Sequence, residues 1–142
     1  MVPWREGDWP ENVWLGVTAE TQARADERLP VLLGLDARVR LVSVEPLLGP
    51  MDLSRYLVGD RRVGWVIVGG ESGPSARATN PSWVRQLRDQ CVEAQVPFFF
   101  KQWGEIDPNG RRVGKRAAGS LIDGQPWKQC PDPVREPRWV VQ

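Results

Sequence analysis

The sequence predicts an α/β fold with about four parallel strands, forming either an open sheet or half of a β/α barrel, and then an irregular or hairpin extension. Three observations predict it. Short apolar runs suited to strands buried on both faces alternate with amphipathic helical segments as far as about residue 106. Their order is strand, helix, strand, turn, strand, helix, strand, which is the order of right-handed parallel crossovers. Beyond residue 107 the alternation stops, dividing the chain into 1–107 and a basic, proline-rich 108–142. Four strands are too few to close an eight-stranded barrel.

Taken in order, the run Val13, Trp14, Leu15, Gly16, Val17 is the first strand. Ala25, Leu29, Leu32 and Leu33 then fall at i, i+4, i+7 and i+8, the stripe of an amphipathic helix. Pro30 interrupts that stripe, which predicts one helix ending near Arg28 and a further turn starting at Pro30. Val39 to Val44 is the second strand, closed by Glu45 and Pro46. Leu53, Tyr56 and Leu57 predict a short helical turn. The third strand, Gly64 to Val68, runs straight into Gly69 and Gly70. Asn80 as N-cap and Pro81 at the first position start the next helix, with Val84, Leu87, Cys91 and Ala94 on one face until Pro97 ends it. Phe98, Phe99 and Phe100 form the fourth strand. Pro108-Asn109-Gly110 and Asp123-Gly124 signal turns in the extension.

Composition narrows the function classes. With 41% hydrophobic and 26% charged residues, the 142-residue chain is a globular domain and not a disordered or collagen-like one. The net charge of +1 gives no global field toward nucleic acid or anionic membrane. No apolar run approaches the roughly 18 residues of a membrane span. The N-terminus lacks a signal-peptide core, so a cytoplasmic location is expected. Histidine is absent, which removes chemistry that depends on imidazole. Cys91 and Cys130 are too far apart for a CxxC pair, and two thiols fall short of the ligand sets of zinc and iron–sulfur sites. They read as free thiols, Cys91 in a core. Eight Trp residues, from Trp4 to Trp139, read as packing residues or, alternatively, as stacking platforms for single-stranded nucleic acid.

Chemistry in parallel α/β sheets gathers at the carboxyl ends of strands. Here those ends carry Thr18 and Glu20, Ser43 and Glu45, Glu71 and Ser72, and Lys101 and Gln102. Adjacent strands lie about 4.8 Å apart, so such side chains can share one ligand, or each acid can instead cap a helix or pair with a nearby Arg. Gly69 and Gly70 after a buried strand allow close approach to the backbone. The loop has neither the Gly-Lys-Ser/Thr ending of a P-loop nor a GxGxxG pattern. Arg77 just beyond it can pair with a carboxylate or a phosphate. Arg111, Arg112, Lys115 and Arg116 form a basic cluster suited to phosphate or simply to solvent.

The stretches Asn12-Val-Trp-Leu-Gly-Val-Thr18, Ser43-Val-Glu-Pro-Leu-Leu-Gly-Pro50, Val66-Ile-Val-Gly-Gly-Glu-Ser-Gly-Pro74 and Pro97-Phe-Phe-Phe-Lys-Gln-Trp-Gly-Glu105 resemble a family of phage and prophage proteins. That family is named after mycobacteriophage gene products and regarded as radical-SAM-like. The resemblance extends over residues 9–128. It implies the C-terminal half of a partial β/α barrel, with the cysteine motif for an iron–sulfur cluster on a preceding half that this sequence lacks. It also implies that Thr18, Glu20, Ser43, Glu45, Gly69, Gly70, Glu71, Ser72, Lys101 and Gln102 line a pocket for S-adenosylmethionine or substrate.

Two functions follow as expectations. The first is a binding module, or one part of a split enzyme, that is inactive alone and holds no cofactor of its own. S-adenosylmethionine would bind once a partner completes the barrel. An open sheet edge would favour a second copy or another protein as that partner. The alternative is nucleic-acid binding through the basic tail and the Trp side chains.

Overall fold

The computed structural model describes residues 9–131. Trp4, Trp139 and the prolines at 133 and 137 lie outside the described residues. β1 (Leu15–Thr18), β2 (Arg40–Val44), β3 (Trp65–Val68) and β4 (Phe98–Phe100) form one sheet in the order β1-β2-β3-β4, and every neighbouring pair is parallel. Spatial order repeats chain order, so every crossover steps the same way. Right-handed crossovers then put the connecting helices on one face.

The core shows that they do. α1 (Gln22–Leu33) contributes Ala25, Leu29 and Leu32, and α2 (Pro81–Ala94) contributes Val84, Leu87 and Cys91. These pack in one cluster with Val42, Val44, Val66, Val68, Phe98 and Phe100, which are alternate residues of β2, β3 and β4. Each fully buried Val, Leu or Phe side chain contributes about 1.5–3 kcal/mol. Leu41, Ser43, Trp65, Ile67 and Phe99, of opposite parity, lie half-buried on the other face. The fold is thus a four-stranded parallel sheet with its helices on one face, and the other face carries no helix among the described residues.

Local signals account for most elements. Thr21 caps α1, its Oγ1 accepting from the Arg24 amide at 3.4 Å. Asn80 caps α2 through the Ser82 amide at 2.9 Å, with Pro81 at the first helical position. Gln95 closes α2 in the left-handed region at φ 57°. Leu53, Tyr56 and Leu57 are buried around a 3₁₀ turn at Ser54–Tyr56.

Pro30 corrects one expectation. α1 does not stop near Arg28 but runs through Pro30 to Leu33. Leu29 and Leu32 flank the proline and are both buried, so continuing the helix keeps both in the core. Their burial outweighs the one missing backbone donor.

In the extension, a four-residue helical turn, α3 (Lys115–Ala118), precedes a hairpin of β5 (Leu121–Ile122) and β6 (Gln125–Pro126). Asp123 (φ 50°) and Gly124 (φ 77°) both have positive φ, as a type I′ two-residue turn requires. Ile122 is buried in the main core. Residues 127–129 then run antiparallel along β4. The Phe100 amide donates to the Trp127 carbonyl at 2.8 Å, and the Gln129 amide donates to the Phe98 carbonyl at 3.2 Å. The extension therefore covers the β4 edge of the sheet, and β1 is the other edge. No helix among the described residues is long and apolar enough to cross a membrane.

Candidate functional site

The register sets out the residues at the strand ends. Thr18 pairs with Ser43, and Ser43 with Ile67, so Thr18 and Ser43 share one row across the sheet. One step further on, Glu45, Gly69 and Lys101 follow β2, β3 and β4. β3 separates β2 from β4, yet the Lys101 Nζ lies 3.2 Å from Glu45 Oε1 and 3.4 Å from Oε2. Gly69 permits this. A Cβ there would stand 3.0 Å from Glu45 Cδ and 3.1 Å from its Cγ, in the path the carboxylate takes across β3.

Gln102 completes the group. It is buried, and its Nε2 donates to Glu45 Oε1 at 3.4 Å and to the Gly70 carbonyl at 3.3 Å. Both partners are acceptors, so they fix which end of the amide faces them. Its Oε1 is buried with no hydrogen-bond partner.

Gly70 answers to a different neighbour. A Cβ on it would fall 1.7 Å from the Trp103 carbonyl oxygen, and one on Gly104 (φ 90°) would fall 2.0 Å from the Glu71 carbonyl oxygen. The loop after β3 and the loop after β4 thus interlock through two glycines. The Gly70 amide donates to the Gln102 carbonyl at 2.8 Å, and the Glu105 amide donates to the Glu71 carbonyl at 3.1 Å. The close approach that Gly69 and Gly70 allow is made by the chain itself.

The remaining acids pair locally. Glu71 receives the Arg77 amide and Nε at 2.9 Å on Oε2, and the Arg77 guanidinium again at 3.0 Å on Oε1. These bonds lower its pKa from 4.5 to about 2. Glu20 lies 3.8 Å from Arg28, which also donates to the Thr18 carbonyl and hydroxyl at 2.7 and 3.2 Å. Ser72 is exposed in the loop. Of the residues singled out from sequence, the structure brings Glu45, Lys101 and Gln102 together over Gly69 and Gly70. Glu20 and Thr18 gather on Arg28, and Glu71 gathers on Arg77.

The basic cluster is similarly divided. Arg111 pairs with Asp107 at 3.0 Å, and Arg112 donates to the carbonyls of Gly73 and Ala76 at 3.3 and 3.0 Å. Lys115 and Arg116 instead line an open cleft of about 500 Å³ with Lys101, Gln102, Gly119 and Ser120. Sequence reasoning found the cluster but not this division, since only the fold decides which cations meet partners and which border the cleft. It also missed Gly104, for which the only signal was a glycine two residues beyond Gln102.

The family described as a protein of unknown function, DUF5131, matches residues 1–131 of the chain. The chain belongs to that family. Its description names no activity, cofactor or phage source. No curated protein and no solved structure matches the chain. Among the described residues of this family member, no group of three or more His, Cys, Asp or Glu side chains is placed to hold a metal ion. Cys91 lies in the core, where burial pushes its thiol up to about 12, and Cys130 is exposed beyond β6.

Proposed function

We propose that this chain is the ligand-holding part of a β/α-barrel enzyme of the radical-SAM-like kind, acting as a binding module or as one part of a split enzyme. The observation that carries this reading is the meeting of Glu45, Lys101 and Gln102 at the carboxyl end of the sheet. That end is where α/β proteins place their ligands.

The three side chains suit the amino-acid head of S-adenosylmethionine. Glu45 and the Gln102 Oε1 would accept from its ammonium group, and Lys101 would receive its carboxylate. An unpaired buried acceptor costs about 1–3 kcal/mol, so a ligand donor at Gln102 Oε1 removes a penalty the free protein carries. When bound, S-adenosylmethionine supplies a sulfonium centre whose reductive cleavage yields an organic radical.

The cysteines of this chain do not fit the cluster that drives such cleavage. Cys91 is a core residue and Cys130 is a lone exposed thiol. On this reading a partner brings the cluster cysteines, and the half-buried inner face at Leu41, Trp65, Ile67 and Phe99 is where further barrel units would pack. The nucleic-acid alternative is not favoured. Arg111 and Arg112 are already engaged, and Trp14, Trp65, Trp103 and Trp127 make edge-on ring contacts within the fold.

Calorimetric titration with S-adenosylmethionine tests the reading. A partner would complete the barrel and tighten binding, but the rim residues lie on this chain, so the wild-type chain alone should already bind, with Glu45→Gln weakening affinity by roughly ten-fold or more. No heat with the wild type, or equal affinity in the variant, contradicts it. Reconstitution with iron and sulfide should give no cleavage by this chain alone, and cleavage would argue against the split-enzyme reading.

A further inference from the structure

We infer that the cleft between the end of β4 and α3 is a site for an oxyanion, the phosphate or carboxylate group of a small molecule, held by Lys101, Lys115 and Arg116. This goes beyond the S-adenosylmethionine reading. It shares Lys101 and Gln102 with that reading, and either can fail without the other.

Charge is the first argument. The residues lining the cleft include three cations and no carboxylate. Lys101 is paired with Glu45. The exposed side chains of Lys115 and Arg116 make no hydrogen bond or ion pair with any described residue. Like charges gathered around one cavity raise its potential and favour an anion there.

Placement is the second argument. α3 is not a loose surface turn. Gly114 (φ 89°) and Gly119 (φ 71°) bracket it in conformations suited to glycine. The Trp103 amide donates to the Gly119 carbonyl at 3.0 Å, and Trp103 Nε1 donates to the Leu121 carbonyl at 2.9 Å. Trp103 is buried against Phe100, with ring centroids 4.8 Å apart. The segment carrying Lys115 and Arg116 is thereby fastened to the chain leaving β4, and the two cations stay beside Lys101.

Gln102 is the third. It lines the same cleft, is 7% exposed, and leaves Oε1 without a donor. A planar guanidinium and two ammonium groups can bind either phosphate or carboxylate oxygens.

Pyrophosphate and malonate serve as probes, titrated separately into the full chain at low salt. Binding of either probe, weakened roughly ten-fold or more in the Lys115→Ala/Arg116→Ala double variant and unchanged in Arg24→Ala, supports the site. The tighter probe then tells phosphate from carboxylate. Both altered residues are exposed, and an unshifted thermal midpoint would show that the fold is intact. A single Lys115→Glu variant provides a second reading and should lose binding as well. Absence of binding by both probes overturns the proposal, as does equal binding by wild type and double variant. A single-stranded oligonucleotide that binds far more tightly than pyrophosphate and depends on the same two residues would also overturn it, marking a nucleic-acid contact instead.

Discussion

Glu45 and Lys101 form an ion pair at 3.2 Å although the whole of β3 lies between their strands. The carboxylate reaches across because residue 69 has no side chain. Two adjacent glycines, Gly69 and Gly70, therefore answer to different neighbours, one a side chain and the other a backbone.

Their alanine variants should separate accordingly. In Gly69→Ala the atoms nearest the new methyl group belong to the movable Glu45 side chain, so stability should fall by about 1 kcal/mol or less while ligand affinity drops. In Gly70→Ala it meets the Trp103 backbone, and the loss should be about 3 kcal/mol or more. Urea midpoints of the two variants measure the difference. Equal losses would contradict the account of the rim.

Acid should loosen the molecule in a defined window. Glu71 is held at about 2 by Arg77, and Asp123 at about 2 by Arg85 and Arg88, against ordinary values of 4.5 and 3.8. A depressed carboxylate pKa stabilises the fold above its unfolded value, and that contribution is lost as pH falls through the folded value. Stability should decline between about pH 4.5 and pH 2, less steeply in Glu71→Gln, and less steeply still at high salt because these pairs face solvent. Thermal midpoints across that range check the slope.

Only one cysteine should react in the native protein. Cys130 is exposed, whereas Cys91 is buried with its thiol pushed up to about 12. A thiol-specific chromogenic reagent at pH 8 should titrate one group in buffer and a second only in denaturant. Two fast groups in buffer would show that Cys91 is accessible.

Pro30→Ala should stabilise the chain. Proline inside a helix costs about 3 kcal/mol against alanine, offset by about 1 kcal/mol because it restricts the unfolded chain. Pro30 is exposed within α1, so the replacement adds a backbone donor without disturbing the core. The expected gain is about 2 kcal/mol in equilibrium unfolding. A loss would mean that α1 ends before the proline in solution.

The strands, the Asn80 cap of α2, and the Asp123-Gly124 turn were legible because each rests on a local rule: an apolar run, a side-chain oxygen near a free amide, a residue that tolerates positive φ. Pro30 was misread because local chemistry opposed a helix that the burial of Leu29 and Leu32 sustains. At the rim, the placing of polar residues at four strand ends could be read from sequence, but their partners could not. Whether Glu71 faces a ligand or Arg77, and whether Glu45 reaches Lys101, depends on loop paths and on contacts between segments over 50 residues apart. The interlock of Gly70 with Trp103 and of Gly104 with Glu71 is likewise a tertiary fact with no signature in either segment alone.

The most direct test of a binding rim is the backbone amide spectrum of the full chain during titration with S-adenosylmethionine. The account predicts shifts concentrated at Glu45, Gly69, Gly70, Lys101 and Gln102, with the amides of α1 unmoved. An unchanged spectrum at saturating ligand, or shifts confined to the helical face around α1 and α2, would contradict it.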